Sequence, residues 1–290
     1  MSELYDPIVH RDMARLQAAL EGGADPNAPV MADGTRALHQ CVSVDWAEGA
    51  EALLKAGADP NLQNDREDTP LVAAVVERRP ALLEVLLAHG ADPEIPNKLG
   101  STPASYACYL SVSMSSTTTS WVIVDGVKKE VASDDGSGER AERLAIMKTL
   151  LEKGAKVDVE DGNGFTALMR AAQYGAADFA EALIAAGAEV SHANANGFQA
   201  IHSASGGGHG AVVKLLLEAG ASAAAADTSG FTPLHDAAFA GDAELVKLLL
   251  EHGAAKDAKV TQGWNEIETG MTPADVAKKK GHDEVAALLS

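Results

Sequence analysis

The sequence predicts an all-α solenoid, a row of about eight helix–turn–helix units stacked on one another. Three observations carry this reading. A tetrapeptide of the Thr-Pro-Leu-His type recurs along the chain, starting at Arg36, Thr69, Thr102, Thr166, Gln199, Thr232 and Thr272. Its steps are 33, 33, 64, 33, 33 and 40 residues, so the two irregular steps are one period lengthened by 31 and by 7 residues. A Gly-Ala pair runs in phase with it, at Gly23, Gly57, Gly90, Gly154, Gly187, Gly220 and Gly253. Each period also carries helical apolar spacing that one unit cannot bury alone, so neighbours must stack. A fixed period displaces the two globular domains that 290 residues would otherwise suggest.

Each element of the unit follows from its residues. Thr232 is placed to cap a helix and Pro233 to open it, where a missing N–H costs nothing. That first helix presents a small face of Leu234, Ala237 and Ala238 and is broken by Gly241. A second helix, from Ala243 to His252, carries the stripe Val246, Leu249 and Leu250. Gly253 supplies its left-handed cap, and an extended turn leads to the next unit.

The pattern Gly-x-Thr-Pro-Leu-His-x-Ala-Ala, then Gly, then Leu-Leu-x-x-Gly-Ala, resembles the ankyrin repeat. Residues 31–290 carry seven copies. Residues 1–30, with Leu16, Leu20 and Gly23-Ala24-Asp25-Pro26-Asn27, resemble a truncated N-terminal capping copy, and 260–290 form the C-terminal capping repeat with a lengthened finger. The resemblance implies a single domain over 1–290, curved, with the short first helices lining a concave face and β-hairpin fingers projecting from that side. It also assigns His39, His202 and His235 a structural hydrogen bond to the adjoining unit.

Three departures from the repeat stand out. Asn64-Asp65-Arg66-Glu67 replaces the glycine that other units place before the first helix, which costs left-handed backbone energy or reshapes the finger. Pro80 in the same unit fits the start of a second helix. The fourth unit holds an insertion over 111–140. Its centre, Trp121 to Val131, reads as two strands joined by an Asp-Gly turn, with Val124 opposite Val127, while its tail at Asp134–Gly138 reads as a linker. Trp121 and Ile123 share one face of that hairpin. It is either a tolerated loop insertion or a second binding element. The third departure lengthens the last finger over Val260–Thr269 and carries Trp264, which either anchors an interface or folds back over the cap.

The candidate binding residues are aromatic. Phe165, Phe198 and Phe231 follow the finger glycines at a spacing of 33, and Met271 extends the row. Tyr109, Tyr174 and Phe239 fall beside them at the ends of first helices. With aromatics at only 4% of the chain, this clustering on one side suits interface anchors, although the Phe row also suits finger-on-finger packing.

Composition narrows the function. With 23 Lys+Arg against 42 Asp+Glu, the formal net charge is −19, which disfavours sequence-independent nucleic-acid binding and docking on anionic lipid. No apolar run is long enough to span a bilayer, and the N-terminus lacks a secretory signal, so the expected location is cytoplasmic, or a host cell for a delivered effector. Cys41 and Cys108 fall at alanine-type core positions, and the nine histidines form no ligand set, so no metal or cofactor is expected. His209, His252 and His282 read as helix-end residues where a positive charge is favourable. Ser203 beside His202 is no dyad, because helix neighbours in sequence do not face each other. Gly206-Gly207-Gly208-His209-Gly210 lacks the context of a phosphate loop. The expected function is therefore a monomeric, non-enzymatic protein-binding module with a basic protein partner. The alternative is a dedicated inhibitor or immunity-type protein that uses the inserted hairpin and the acidic surface.

Overall fold

The structure, a computed structural model, describes residues 2–109, 121–124, 127–130, 137–263 and 266–290. Sixteen helices among them fall into eight pairs, and the chain divides into two compact units, Met1–Lys156 and Val157–Ser290.

The first unit holds four pairs: α1 (Tyr5–Val9) with α2 (Met13–Glu21), α3 (Ala37–Ser43) with α4 (Ala47–Lys55), α5 (Pro70–Val76) with α6 (Pro80–Ala88), and α7 (Pro103–Tyr109) with α8 (Ser137–Glu152). First helices pack on first helices along the series α1, α3, α5, α7, and second helices along α2, α4, α6, α8. The second unit repeats this arrangement with α9 (Ala167–Gln173) and α10 (Ala177–Ala185), α11 (Ala200–Gly206) and α12 (Gly210–Glu218), α13 (Pro233–Ala240) and α14 (Ala243–Glu251), and α15 (Pro273–Lys280) and α16 (Asp283–Leu289). The core follows the sequence stripe. Leu53, Leu83, Leu86, Leu150, Leu183, Leu216 and Leu249 are fully buried, and alanines such as Ala74, Ala107, Ala171, Ala204 and Ala237 let the first helices approach closely.

Capping follows the motif. Thr69 and Thr166 accept from the backbone N–H of Val72 and Met169. At α13 the Thr232 hydroxyl turns instead to His235 Nδ1, 2.9 Å away, which also accepts from Thr232 N–H at 3.2 Å. Pro80 opens α6, as its position suggests. Glu67 takes the glycine slot of its finger with φ +59, so the third unit keeps the turn and bears its backbone cost.

Two local expectations need correction. Ser137 and Gly138, read as linker, begin α8, which runs 16 residues where the other second helices of three full turns or less run 9 or fewer. Glu139 and Glu142 on this extra length bond Arg78 at 2.5 and 3.4 Å, which holds the extension to α5's exit. His209 and His282 stand at the N-terminal ends of α12 and α16, where a positive charge is unfavourable. They serve as ring donors to the carbonyls of Gln173 and Phe239 instead, at 3.0 and 3.1 Å.

In the inserted segment β1 (Trp121–Val124) pairs antiparallel with β2 (Val127–Glu130), Val124 opposite Val127 and Trp121 opposite Glu130. The turn expected at Asp125-Gly126 and the segment's flanks at 110–120 and 131–136 lie outside the described residues.

Candidate functional site

The second unit carries an open cavity of about 600 Å³ between the fingers and the first helices. Its walls are built by a small device that recurs in five of the fingers. An Asp or Asn accepts two backbone N–H bonds from the residues two and four positions on, closing a tight turn. Asp161 holds Asn163 and Phe165, Asn194 holds Asn196 and Phe198, and Asp227 holds Ser229 and Phe231, all within 2.8–3.1 Å. Asn64 and Asn97 do the same in the first unit. Each turn fixes the residue after the finger glycine, which is why Phe165, Phe198 and Phe231 all reach the cavity wall.

The three rings are half-buried. Phe165 and Phe198 lie 5.9 Å apart at 58°, a tilted contact, and Phe198 stacks on His202 at 5.2 Å and 28°. Phe231 packs on His235 at 5.3 Å. Phe165 and Phe198 thus pack finger on finger, and all three rings line the cavity.

The remaining predicted residues do not join this cluster. Met271 is half-buried, its carbonyl accepting from Val260 N–H and from His235 Nε2. Tyr174 caps the end of α9 and is half-buried. Phe239 lies beneath the Lys280 ammonium, 4.3 Å from the ring centroid, so its face is already taken. Tyr109, Trp121 and Ile123 are described by their backbone alone, and Trp264 lies outside the described residues.

Sequence reasoning passed over the polar residues beside and within this wall. On α9, Arg170 bonds Asp161 Oδ2 through Nε at 2.8 Å and through a terminal nitrogen at 2.6 Å, and its guanidinium lies 4.3 Å over Phe165. Asp236 occupies the corresponding position on α13 and lines the cavity together with Asp227. Burial, with the Asp227 charge beside it, pushes the Asp236 carboxyl up to about 8. The signal was present in the sequence: 161, 194 and 227 repeat at 33, and so do 170, 203 and 236.

The motif histidines show one exception. His39 Nδ1 accepts from Arg36 N–H, and Nε2 reaches the Asp68 carbonyl at 2.8 Å. His235 reaches Met271 O at 3.4 Å. His202 accepts from Gln199 N–H at 3.1 Å, and its ring meets the carbonyls of Phe231 and Ala225 in contacts looser than those of His39 and His235, the side chain being 1% exposed. Burial holds all three imidazoles below their usual range, so they are neutral. Cys41 and Cys108 are buried thiols outside any disulfide, Cys108 reaching the Met147 sulfur at 3.5 Å, and burial raises Cys41 far above the usual thiol range. Among the described residues no three His, Cys, Asp or Glu side chains are grouped to hold a metal, and no helix is long and apolar enough to cross a membrane.

The family model for ankyrin repeats (three copies) matches in overlapping stretches at residues 10–97, 38–115, 139–227, 178–262 and 224–290. The chain belongs to the ankyrin-repeat family. The ankyrin repeat domain of Bcl-3, described as a unique member of the IκB protein family, superposes with a TM-score of 0.69 at 23% identity, covering 87% of this chain and 98% of that one, a likeness of fold. An ankyrin repeat protein of Fowlpox virus (strain NVSL) is 29% identical over 126 residues, which is 41% of this chain. The match spans 21% of that relative's length. Ankyrin repeats are generally protein–protein interaction modules and are typically non-enzymatic.

Proposed function

We propose that this ankyrin-repeat chain is a non-enzymatic protein-binding module that takes a basic protein partner on the first-helix and finger face of its second unit. The observation that carries the reading is the row Phe165, Phe198 and Phe231, half-buried and opening on a cavity of about 600 Å³. Aromatic rings fixed by their backbone and rimmed with polar groups are the usual anchors of interfaces. A formal charge of −19 selects the sign of the partner and speeds its encounter at low salt.

The test is binding to purified basic and acidic proteins at low and high salt, by the native chain and by Phe198→Ala and Phe231→Ala. Basic proteins should bind, bind more weakly in salt, and bind least to the two variants once circular dichroism shows these folded. Indifference to partner charge, or full binding by both variants, overturns the reading.

The narrower reading, an inhibitor of one enzyme or toxin, is favoured by the β1–β2 hairpin that the insertion adds to the repeat. Deleting 111–136, which stops short of α8, tests it. Unchanged affinity for the partner would confine recognition to the repeats.

A further inference from the structure

Two side chains of the first unit break the repeat in the same way and meet in one place. Met31 holds the finger position that Asn64, Asn97, Asp161, Asn194 and Asp227 hold in later units. In those units the Asp or Asn folds its side chain back onto the N–H groups of its own turn. Methionine cannot do this. The first finger closes otherwise, with the Thr35 carbonyl accepting from Val30 and Met31 N–H, and Asp33 accepting from Thr35 N–H at 3.1 Å. The Met31 side chain is thereby released from the turn and is 44% exposed. Val76 ends α5 where Ser43, Gln173 and Gly206 end α3, α9 and α11, and it is 39% exposed. The fold asks for a large apolar side chain at neither position, since other units place polar residues or glycine there.

Both side chains line an open cavity of about 320 Å³, bounded by the first two fingers and by α3 and α5. One exposed apolar side chain is ordinary, but two that flank a single recess mark a place for a partner. The charged groups around them are Asp33, Asp68 and Glu77 against Arg66 alone, with His39 neutral. The rim of an apolar recess is therefore negative.

We propose that this cavity is a second docking site, which takes an aliphatic side chain followed by a basic one in an extended segment of a protein partner. The aliphatic group lies between Met31 and Val76, and the neighbouring cation meets Asp33, Asp68 and Glu77. Methionine adapts its shape to such a guest, and the excess of carboxylates rejects an acidic segment. The recess has about half the volume of the one beside Phe198, which suits an aliphatic chain better than a stacked ring. The site is separate from the aromatic row of the second unit and does not rest on it.

The probe is the peptide acetyl-Gly-Gly-Leu-Lys-Gly-Gly-amide, titrated into the full chain and followed by NMR of the Met31 and Val76 methyl groups. Both should shift and saturate. Serine in place of the leucine should weaken binding roughly ten-fold or more, the loss for one buried aliphatic side chain. Glutamine in place of the lysine should weaken it roughly two- to five-fold, the range for an exposed charge pair. Met31→Ser and Val76→Ser are surface changes that leave the fold intact, and each should weaken the unmodified peptide, read at the methyl that remains. Leu99→Ser, at an apolar side chain 60% exposed but outside the cavity, should not. Absence of saturable shifts at both methyls, or equal affinity for the serine peptide, overturns the proposal. So does a loss in Leu99→Ser as large as in Val76→Ser, which would mean unspecific apolar contact. Sedimentation of the chain alone covers the other occupant: a dimer that Met31→Ser dissolves would give the cavity to a second copy and overturn the proposal. The peptide reports on the first unit alone, so its result is independent of how basic proteins bind the Phe198 and Phe231 variants.

Discussion

Glu67 holds a backbone position that its counterparts give to glycine: φ is +59 at Glu67 against +71 to +77 at Gly100, Gly164, Gly197 and Gly230. The turn survives because Asn64 accepts from Arg66 and Asp68 N–H, but the Cβ is still strained against the following carbonyl. Glu67→Gly should raise stability by about 1 kcal/mol in urea denaturation. Gly230→Ala should lower it, since the new Cβ would stand 2.6 Å from the Lys259 carbonyl oxygen at φ +77. Asp236 makes a second prediction at this scale. Its carboxyl is pushed up to about 8 from 3.8 by burial and by Asp227, so the folded state holds the proton more tightly than the unfolded chain does. The linked penalty is absent below pH 3.8, grows as pH rises toward 8, and is constant above that. Asp236→Asn should therefore stabilise the protein by an increment that widens from pH 5 to pH 8, read from urea midpoints at each pH. A constant or shrinking increment would show that the carboxyl titrates normally.

At the scale of the element, the helices were almost fully legible. Thr-Pro-Leu-His fixed where first helices begin and Gly-Ala where second helices end, because both signals are local backbone chemistry repeated at one period. Two kinds of feature were hidden. Arg11, Asp45 and Arg78 end first helices in left-handed conformations where Gly175, Gly208, Gly241 and Gly281 do so later, so no glycine marked those stops. The pairing of finger residue 161 with helix residue 170 was hidden in part: both positions recur at 33, but only the finger folded over its own helix brings them together. That tie is testable on α9. Arg170→Met leaves the Asp161 side chain, 2% exposed, without its cation and should cost about 3 kcal/mol or more. Adding Asp161→Asn should recover part of the loss, because Asn194 shows that an amide oxygen holds the same two backbone N–H groups. On α4, Gly49 admits the Trp46 indole, and an added Cβ would lie 2.2 Å from that ring. Gly49→Ala should destabilise by about 1–3 kcal/mol despite alanine's better helix propensity, with the thermal midpoint as the measure.

Over the whole molecule both units carry a net negative charge. Residues 1–156 carry 24 acidic against 15 basic side chains, and 157–290 carry 18 against 8. Repulsion is thus built into both units, and local pairing does little to relieve it. The pairs seen, such as Lys55–Glu51, Lys214–Glu218 and Lys247–Glu244, are exposed neighbours on single helices and are worth little each. Two opposing effects of salt can then be ranked. Screening weakens those exposed pairs by tenths of a kcal/mol each, roughly. It also weakens repulsion among carboxylates that outnumber cations in both units, a term that grows with the square of the net charge. The second effect should win, so the thermal midpoint at neutral pH should rise as sodium chloride is added. Titration toward the sequence pI of about 4.8 should shrink the salt response, because the charge being screened is then neutralised. A midpoint that falls with salt at neutral pH would mean that the acidic side chains are paired more fully than the exposed bridges indicate, and it would also remove the electrostatic ground for expecting a basic partner.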